Sequence, residues 1–184
     1  MDAVIAKRAL LPFPGQSVPN IQIAAKLSRT LTDLLEIEYS VTGKVEALRV
    51  AELAVPERRD ALWRTTCFEA FVRPGRAKHY REYNFAPSRN YAIYDFERYR
   101  EGMAVADSAV PPRIFVDSDS DRLSVTAMVD PGDWWVAGSR WGLSAVIEDR
   151  DGGISHWALA HPSEKPDFHD PSCFALQLPA PKRS

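Results

Sequence analysis

The sequence lacks most of the features that mark nucleic-acid-binding, membrane-spanning and disulfide-stabilised proteins. Its 23 basic and 25 acidic side chains give a net charge of −2, and the basic residues are scattered, so we predict no nucleic-acid and no membrane partner. No apolar run approaches the roughly 20 residues that a transmembrane helix needs. Only Cys67 and Cys173 are present, far apart and outside any CxxC motif, so we expect two reduced, buried thiols.

The first residues also lack the layout of a signal peptide, because Lys7 and Arg8 interrupt the apolar segment. We therefore expect a cytoplasmic protein. The length of 184 residues suits a single domain, residues 1–184, with a core from about residue 4 to residue 178.

Apolar and polar residues alternate with period two in short segments, and no segment shows a persuasive helical period. The predicted strands cover residues 4–11, 21–28, 34–42, 45–50, 66–72, 80–85, 90–96, 113–116, 122–129, 141–148, 154–160 and 173–178. Residues 34–42 and 45–50 are predicted to pair as a hairpin across Gly43 and Lys44. Many short strands separated by turn signals indicate an all-β fold, a β-sandwich or barrel.

Glu69 is the unusual residue of the strand 66–72, because all of its near neighbours are apolar. A charged group among apolar ones costs several kcal/mol unless it is paired or partly hydrated. Glu69 is therefore expected at a sheet edge, beside an arginine, or facing a binding cleft. The next two strands carry many aromatic rings, with Asn84 and Arg89 among the polar residues between them.

Three segments together resemble the DOMON-like domains and family 9 carbohydrate-binding modules. The first is the pattern Trp-x-x-x-x-Phe-Glu-x-Phe from Trp63 to Phe71, the second is the strand at residues 80–84, and the third is the tail at residues 165–174. The resemblance covers about residues 21–178. It implies an antiparallel two-sheet β-sandwich of the immunoglobulin-like or jelly-roll-like kind, with a cleft that takes a sugar in some members and haem in others.

In sugar-binding relatives, one tryptophan before the Glu strand and another near the C-terminal end stack on the sugar. The resemblance carries these roles to Trp63 and Trp157, gives Glu69 a role in binding hydroxyls, and places an arginine near Arg89. Asn84 could add a donor and an acceptor to the same face. We therefore predict a small-molecule ligand, carbohydrate-like, bound at Trp63, Glu69, Asn84, Arg89 and Trp157.

Each of these residues also has a purely structural interpretation. Both tryptophans could fill the core, Glu69 and Arg89 could form a buried ion pair, and Asn84 could hold a turn. Two other readings of the whole chain are a haem-binding or redox-sensing module of the DOMON type and a structural or interaction domain without a small ligand.

The sequence supports a bound cofactor less strongly than a bound saccharide. Haem would need axial ligands, for which Met103, Met128 and His156 are available. Structural Ca²⁺ is the other candidate, since Asp117, Asp119 and Asp121 alternate as in a calcium loop, although a solvated acidic turn fits better. We predict no required cofactor and no metal. No nucleophile motif occurs and no second acid is placed against Glu69, so we predict that the chain is not an enzyme.

Overall fold

The computed structural model describes residues 3–107 and 109–181 and shows an all-β protein. Its strands are β1 (Ala3–Pro12), β2 (Ile21–Arg29), β3 (Leu35–Gly43), β4 (Cys67–Arg73), β5 (Tyr80–Phe85), β6 (Tyr91–Phe96), β7 (Ala104–Val105), β8 (Arg113–Ser118), β9 (Arg122–Val129), β10 (Arg140–Glu148), β11 (Ile154–Ala158) and β12 (Leu176–Gln177). Short 3-10 helices span Val45–Ala47, Leu62–Arg64, Gly132–Trp134 and Pro171–Cys173. None of the helices in the described ranges is long and apolar enough to cross a membrane.

The strands form one antiparallel hydrogen-bonded path in the order β7-β6-β5-β4-β10-β11-β1-β2-β3-β9-β8, with β12 pairing β10. Strand β1 joins the two halves of this path. Most of β1 pairs β2, whereas its end pairs β11 through Leu11 with Ala158 and Pro12 with Trp157. The predicted all-β antiparallel class is confirmed. The predicted division into two separate sheets is not confirmed, because β1 belongs to both halves.

The two halves of the sheet face each other across the main core. Tyr39 of β3 and Phe68 of β4 are in contact, with their ring centroids 5.1 Å apart. The inward positions alternate along each strand, as period two requires. On the β4 side, the inward residues are Phe68, Ala70, Val72, Tyr83, Phe85, Ile93, Trp141, Leu143, Ala145, Ile147 and Trp157.

The opposite face of β4, β5, β6, β10 and β11 carries a second, smaller apolar cluster. We call this surface the site face. Its buried apolar residues are Phe71, Tyr80, Ala92, Tyr94, Phe96, Val146, Ala158, Phe168, Cys173 and Phe174. The last three come from the tail that follows β11, so the tail covers this face. Phe174 stacks on Phe71 with a centroid distance of 5.6 Å.

Three of the predicted elements differ in the structure. The hairpin of residues 34–42 and 45–50 is wrong, because β3 pairs β2 and β9 and its successor is the 3-10 helix Val45–Ala47. The predicted last strand shortens to Leu176–Gln177, since Pro171 begins a 3-10 helix that ends at Cys173. Between the predicted strands 90–96 and 113–116, where no strand was predicted, the structure has the edge strand β7, which pairs β6.

Candidate functional site

A cavity of about 460 Å³ opens on the site face. It lies between the sheet, the 3-10 helix Leu62–Arg64, the loop after β6 and the C-terminal tail. Its walls are largely aromatic, and two acidic side chains lie among them. The lining residues are Trp63, Glu69, Glu82, Phe96, Arg100, Met103, Val146, His156, Pro166, Phe168 and His169.

Glu69 lies on β4 between β5 and β10, directly opposite Asn84 on one side and Ser144 on the other. Its Oε2 accepts a 3.1 Å hydrogen bond from the Ser144 hydroxyl. Only 3% of the residue is exposed, yet it lines the cavity. Of the three expected settings, the cleft is the one observed: Glu69 lies in a central strand, and no arginine within residues 3–107 or 109–181 forms an ion pair with it.

Glu82 of β5 is a second acid on the same face and is 5% exposed. Asn84 Nδ2 donates a 2.7 Å hydrogen bond to Glu82 Oε1. Burial raises the pKa of Glu82 to about 7. Burial also raises the pKa of Glu69 well above its usual range, and the charge of Glu82 raises it further. The two carboxyl groups therefore resist being ionised together.

Asn84 itself is fully buried and is not among the lining residues. Besides its bond to Glu82, its Oδ1 lies 3.7 Å from the Cys67 thiol. The structure thus places this predicted ligand contact behind the cavity wall, where it orients Glu82.

His169, from the tail, reaches the same wall. The Tyr80 hydroxyl lies 2.7 Å from His169 Nδ1 and also accepts a 3.2 Å hydrogen bond from the backbone N–H of Arg100. The hydroxyl hydrogen is then free to be donated to Nδ1, which leaves the imidazole hydrogen on Nε2. That nitrogen lies 3.7 Å from Glu82 Oε2. Burial, followed by the charge of Arg100, lowers the pKa of His169 to about 4, so the ring is neutral near pH 7.

Arg100 lines the cavity with the two acids and is held by a partner of its own. Its Nη2 donates to Asp167 Oδ1 at 2.7 Å, and the Tyr99 hydroxyl donates to the other carboxylate oxygen. This contact also ties the loop after β6 to the tail. The positive charge of Arg100 is therefore balanced by Asp167 at the edge of the cavity.

Trp63 forms the outer wall. It belongs to the 3-10 helix Leu62–Arg64 and is 36% exposed, which leaves part of the indole available to a ligand. Its ring packs edge-on against Tyr94 at 5.8 Å. Tyr94 is fixed in turn by donating a 2.6 Å hydrogen bond to Asp60. Trp63 and Glu69, both predicted to contact the ligand, thus line one cavity.

Trp157 and Arg89 lie apart from that cavity. Trp157 is 3% exposed and points into the main core, with its Nε1 donating to Ser155 Oγ. Arg89 lies in the loop between β5 and β6, where its φ is 75° and its Nη2 donates to the Ala54 carbonyl oxygen. Neither residue lines the cavity with Glu69. Glu69 therefore makes no contact with Arg89. Its polar neighbours are Ser144, which donates a hydrogen bond to it, and Glu82 on the adjacent strand.

Sequence reasoning missed Glu82, Arg100 and His169 as members of the site. Glu82 carried a usable signal, because it is an acid between Tyr80 and Asn84 in a strand next to that of Glu69. His169 and Arg100 carried none, because their positions depend on how the tail and the loop after β6 fold over the sheet.

The acidic turn between β8 and β9 lies elsewhere. Asp119 Oδ1 accepts hydrogen bonds from the backbone N–H groups of Asp121 and Arg122, at 3.0 and 2.8 Å. This is the arrangement of a side chain that caps its own turn. It supports the solvated-turn interpretation over a calcium loop.

Comparisons with known proteins identify relatives only through the fold. No protein-family model matches the sequence, and no curated protein matches it. A solved structure of a proposed carbohydrate-binding protein from Bacteroides uniformis is similar with a TM-score of 0.63, at 12% identity over 91% of this chain and 83% of that one. A family 9 carbohydrate-binding module from Caldicellulosiruptor kristjanssonii, in complex with cellotriose, gives a TM-score of 0.53 at 12% identity over 87% of this chain and 75% of that one.

These similarities confirm the suspected likeness to family 9 carbohydrate-binding modules at the level of the fold, whereas the DOMON-like part of that suspicion is unconfirmed. The chain shares the all-β architecture of the family 9 carbohydrate-binding modules.

Proposed function

We propose that this chain is a non-catalytic saccharide-binding domain whose ligand lies in the cavity of the site face. The observation that carries the proposal is the partly exposed indole of Trp63 in one cavity with the buried carboxyl of Glu69. An indole covers the apolar face of a sugar ring, and a carboxyl accepts hydrogen bonds from its hydroxyls. The cavity volume of about 460 Å³ lies in the range of small-molecule sites.

The structural neighbours support this choice of ligand class. The bacterial module of similar fold was solved with cellotriose. A likeness of fold does not transfer a site, so the proposal depends on the side chains of this chain. Within it, Trp63 and Glu69 are ligand contacts, and Asn84 positions Glu82. The finer predictions of a two-sheet sandwich and of a saccharide stacked on an aromatic side chain in its cleft belong to the same proposal.

A tryptophan-fluorescence titration with a panel of mono- and disaccharides tests this function. We expect a saturable change in the protein, and its loss in Trp63→Ala. Trp157→Phe is the matched control, because Trp157 lies in the main core away from the cavity. That variant should still bind. A wild-type protein that responds to no sugar, or a Trp63→Ala variant that binds as well as wild type, would contradict the proposal.

Haem binding is the second candidate, and one observation favours it. Met103 and His156, two of the three possible axial ligands, line the same cavity, whereas Met128 lies on β9 in the other half of the sheet. The floor formed by Glu69 and Glu82 suits haem poorly, because the propionates of haem are themselves anionic. An absorption spectrum after incubation with haemin distinguishes the two candidates, since saccharide binding produces no Soret band.

A further inference from the structure

The cavity of the site face contains more acidic than unpaired basic groups. Glu69 and Glu82 contribute two carboxyl groups, while Arg100 is balanced by Asp167 at 2.7 Å. Burial and the charge of Arg100 lower the pKa of His169 to about 4, so its ring is neutral near pH 7. Other titratable or charged side chains surround the two acids, either in direct contact or one neighbour away. They are Arg58, Asp60, Cys67, Tyr80, Tyr94, Arg100, His156, Asp167 and His169.

Glu69 presents an oxygen without a partner. Its Oε2 accepts from Ser144, but no donor in residues 3–107 or 109–181 makes a hydrogen bond to Oε1. The residue is 97% buried, since 3% of it is exposed, and it lines the cavity. Oε1 is not among the enclosed, unpartnered side-chain atoms of the described residues, so it is open to the cavity, where a donor on a ligand can reach it.

Glu82 also has unused capacity. Its Oε1 is occupied by Asn84, whereas its Oε2 has only His169 Nε2 nearby, at 3.7 Å. That separation exceeds the length of a hydrogen bond. The two acids of adjacent strands thus offer one open oxygen each on one wall of the cavity.

We infer that the ligand of this cavity is a saccharide carrying a protonated amine, and that Glu69 and Glu82 receive its ammonium group. This inference rests on the proposed saccharide-binding function and specifies the class of sugar. An ammonium group has three N–H donors and one positive charge, so it satisfies both open oxygens and lets both carboxyls be ionised. A neutral hydroxyl can fill one acceptor but leaves the repulsion between the acids in place.

The aromatic wall favours the same ligand. Trp63, Phe96 and Phe168 line the cavity with the two acids. Aromatic faces attract cations by their quadrupole and also cover the apolar face of a sugar ring. A cationic sugar therefore pairs its charge with the acids and with the aromatic wall, whereas a neutral sugar has only hydroxyl hydrogen bonds to the acids and apolar contact with the wall.

Proton release provides a signature that a neutral sugar cannot produce. When the cavity holds no cation, both acids keep their protons at pH 6, because burial raises the pKa of Glu82 to about 7 and that of Glu69 well above its usual range. An ammonium group that enters between them lets both carboxyls ionise and expels their protons to the buffer. The number of protons released is measured by isothermal titration calorimetry in two buffers of different ionisation enthalpy.

The experiment titrates the full chain at pH 6 with D-glucosamine, D-glucose and N-acetyl-D-glucosamine. We expect glucosamine to bind about tenfold more tightly than either neutral sugar, with release of up to about two protons, one from each carboxyl. In Glu69→Gln the preference for glucosamine over glucose should fall to about one. The matched control is Glu52→Gln, an exposed glutamate outside the cavity, which should keep the preference.

The outcomes separate this inference from the proposed function. Equal binding of all three sugars without proton release would overturn the preference for an amine and leave saccharide binding in place. Failure of all three to bind would overturn both. The proton count needs only the wild-type protein, so the inference stays testable even if Glu69→Gln does not fold.

Discussion

The hydroxyl of Tyr39 donates a 2.6 Å hydrogen bond to the backbone carbonyl of Glu69. Tyr39 lies on β3, in the half of the sheet opposite to β4, and both residues are buried. This bond therefore runs through the main core and ends at the backbone of a residue whose side chain lines the cavity. It fixes the strand that carries Glu69 from behind.

Tyr39→Phe removes that bond and leaves a buried carbonyl without this donor. We expect the free energy of unfolding to fall by about 1–2 kcal/mol, measured by urea denaturation. Tyr91→Phe is the control, because among the described residues the Tyr91 hydroxyl has no hydrogen-bond partner, and this variant should lose less than about 0.5 kcal/mol. Equal losses in the two variants would show that the Tyr39 bond contributes nothing.

The buried acids should make the protein less stable as pH rises. The pKa of Glu82 is about 7 in the folded chain against 4.5 when unperturbed, so the folded state binds more protons in this window. Stability is fully present below pH 4.5 and is lost as pH rises through 7. Glu69, whose pKa lies well above its usual range, continues the loss at higher pH. Each group contributes up to about 1.4 kcal/mol per pH unit.

His169 acts in the opposite direction. Its pKa is lowered from 6.5 to about 4, so its contribution to stability is present above pH 6.5 and is lost as pH falls towards 4. Below pH 6.5, the contribution of His169 to stability rises with pH while that of Glu82 falls. Above pH 6.5, of these three groups only the two acids change the stability. We therefore expect the urea midpoint to fall between pH 6.5 and 8 in the wild type and to stay flat in Glu69→Gln/Glu82→Gln. An unchanged fall in the double variant would refute this assignment.

Asn84 should tune the proton affinity of Glu82. Its Nδ2 donates to Glu82 Oε1, which lowers the pKa of that carboxyl against the effect of burial. In Asn84→Ala we expect the pKa of Glu82 to rise further, which moves the fall in stability to higher pH. Asn90→Ala is the control, since Asn90 is also buried but accepts a hydrogen bond from the Glu57 backbone. That variant should be less stable without a displaced pH profile.

Gly142 allows the tail to approach the sheet. A Cβ at this position of β10 would lie 2.8 Å from Phe174 Cδ1 and 3.3 Å from the Cys173 carbonyl oxygen. Gly142→Ala should therefore cost about 1–3 kcal/mol of stability and weaken ligand binding, because the tail carries His169 and Phe168. The double variant Gly142→Ala/Phe174→Leu relieves the clash and should recover part of both losses. Additive losses in the double variant would place the strain elsewhere.

The sequence predicted the strand that carries the site better than the site itself. Phe68 and Glu69 lie on opposite faces of β4, as the period of two in a strand requires, because this period is local and shows in adjacent residues. The pairing of Glu69 with Arg89 failed, because Arg89 lies in the hairpin loop and bonds to Ala54. Side chains that meet through strand pairing or through a folded tail are decided by long-range contacts.

The two tryptophans show the same limit of predicting a site from sequence. Both Trp63 and Trp157 fit a stacking role, and both have the same side chain. The structure separates them because the 3-10 helix of Trp63 lies over the site face, while Trp157 faces the opposite side of β11. Strand direction and burial, which a single sequence does not contain, make that distinction.

The covering of the site face by the tail has a consequence for biosynthesis. The β-strands that carry Glu69 and Glu82 leave the ribosome before the tail that carries Phe168 and His169. A nascent chain that ends between them thus holds the acids and the indole without the wall that closes over them. The cavity is completed only after the tail has emerged, so ligand capture reports that the sheet and the tail have folded together.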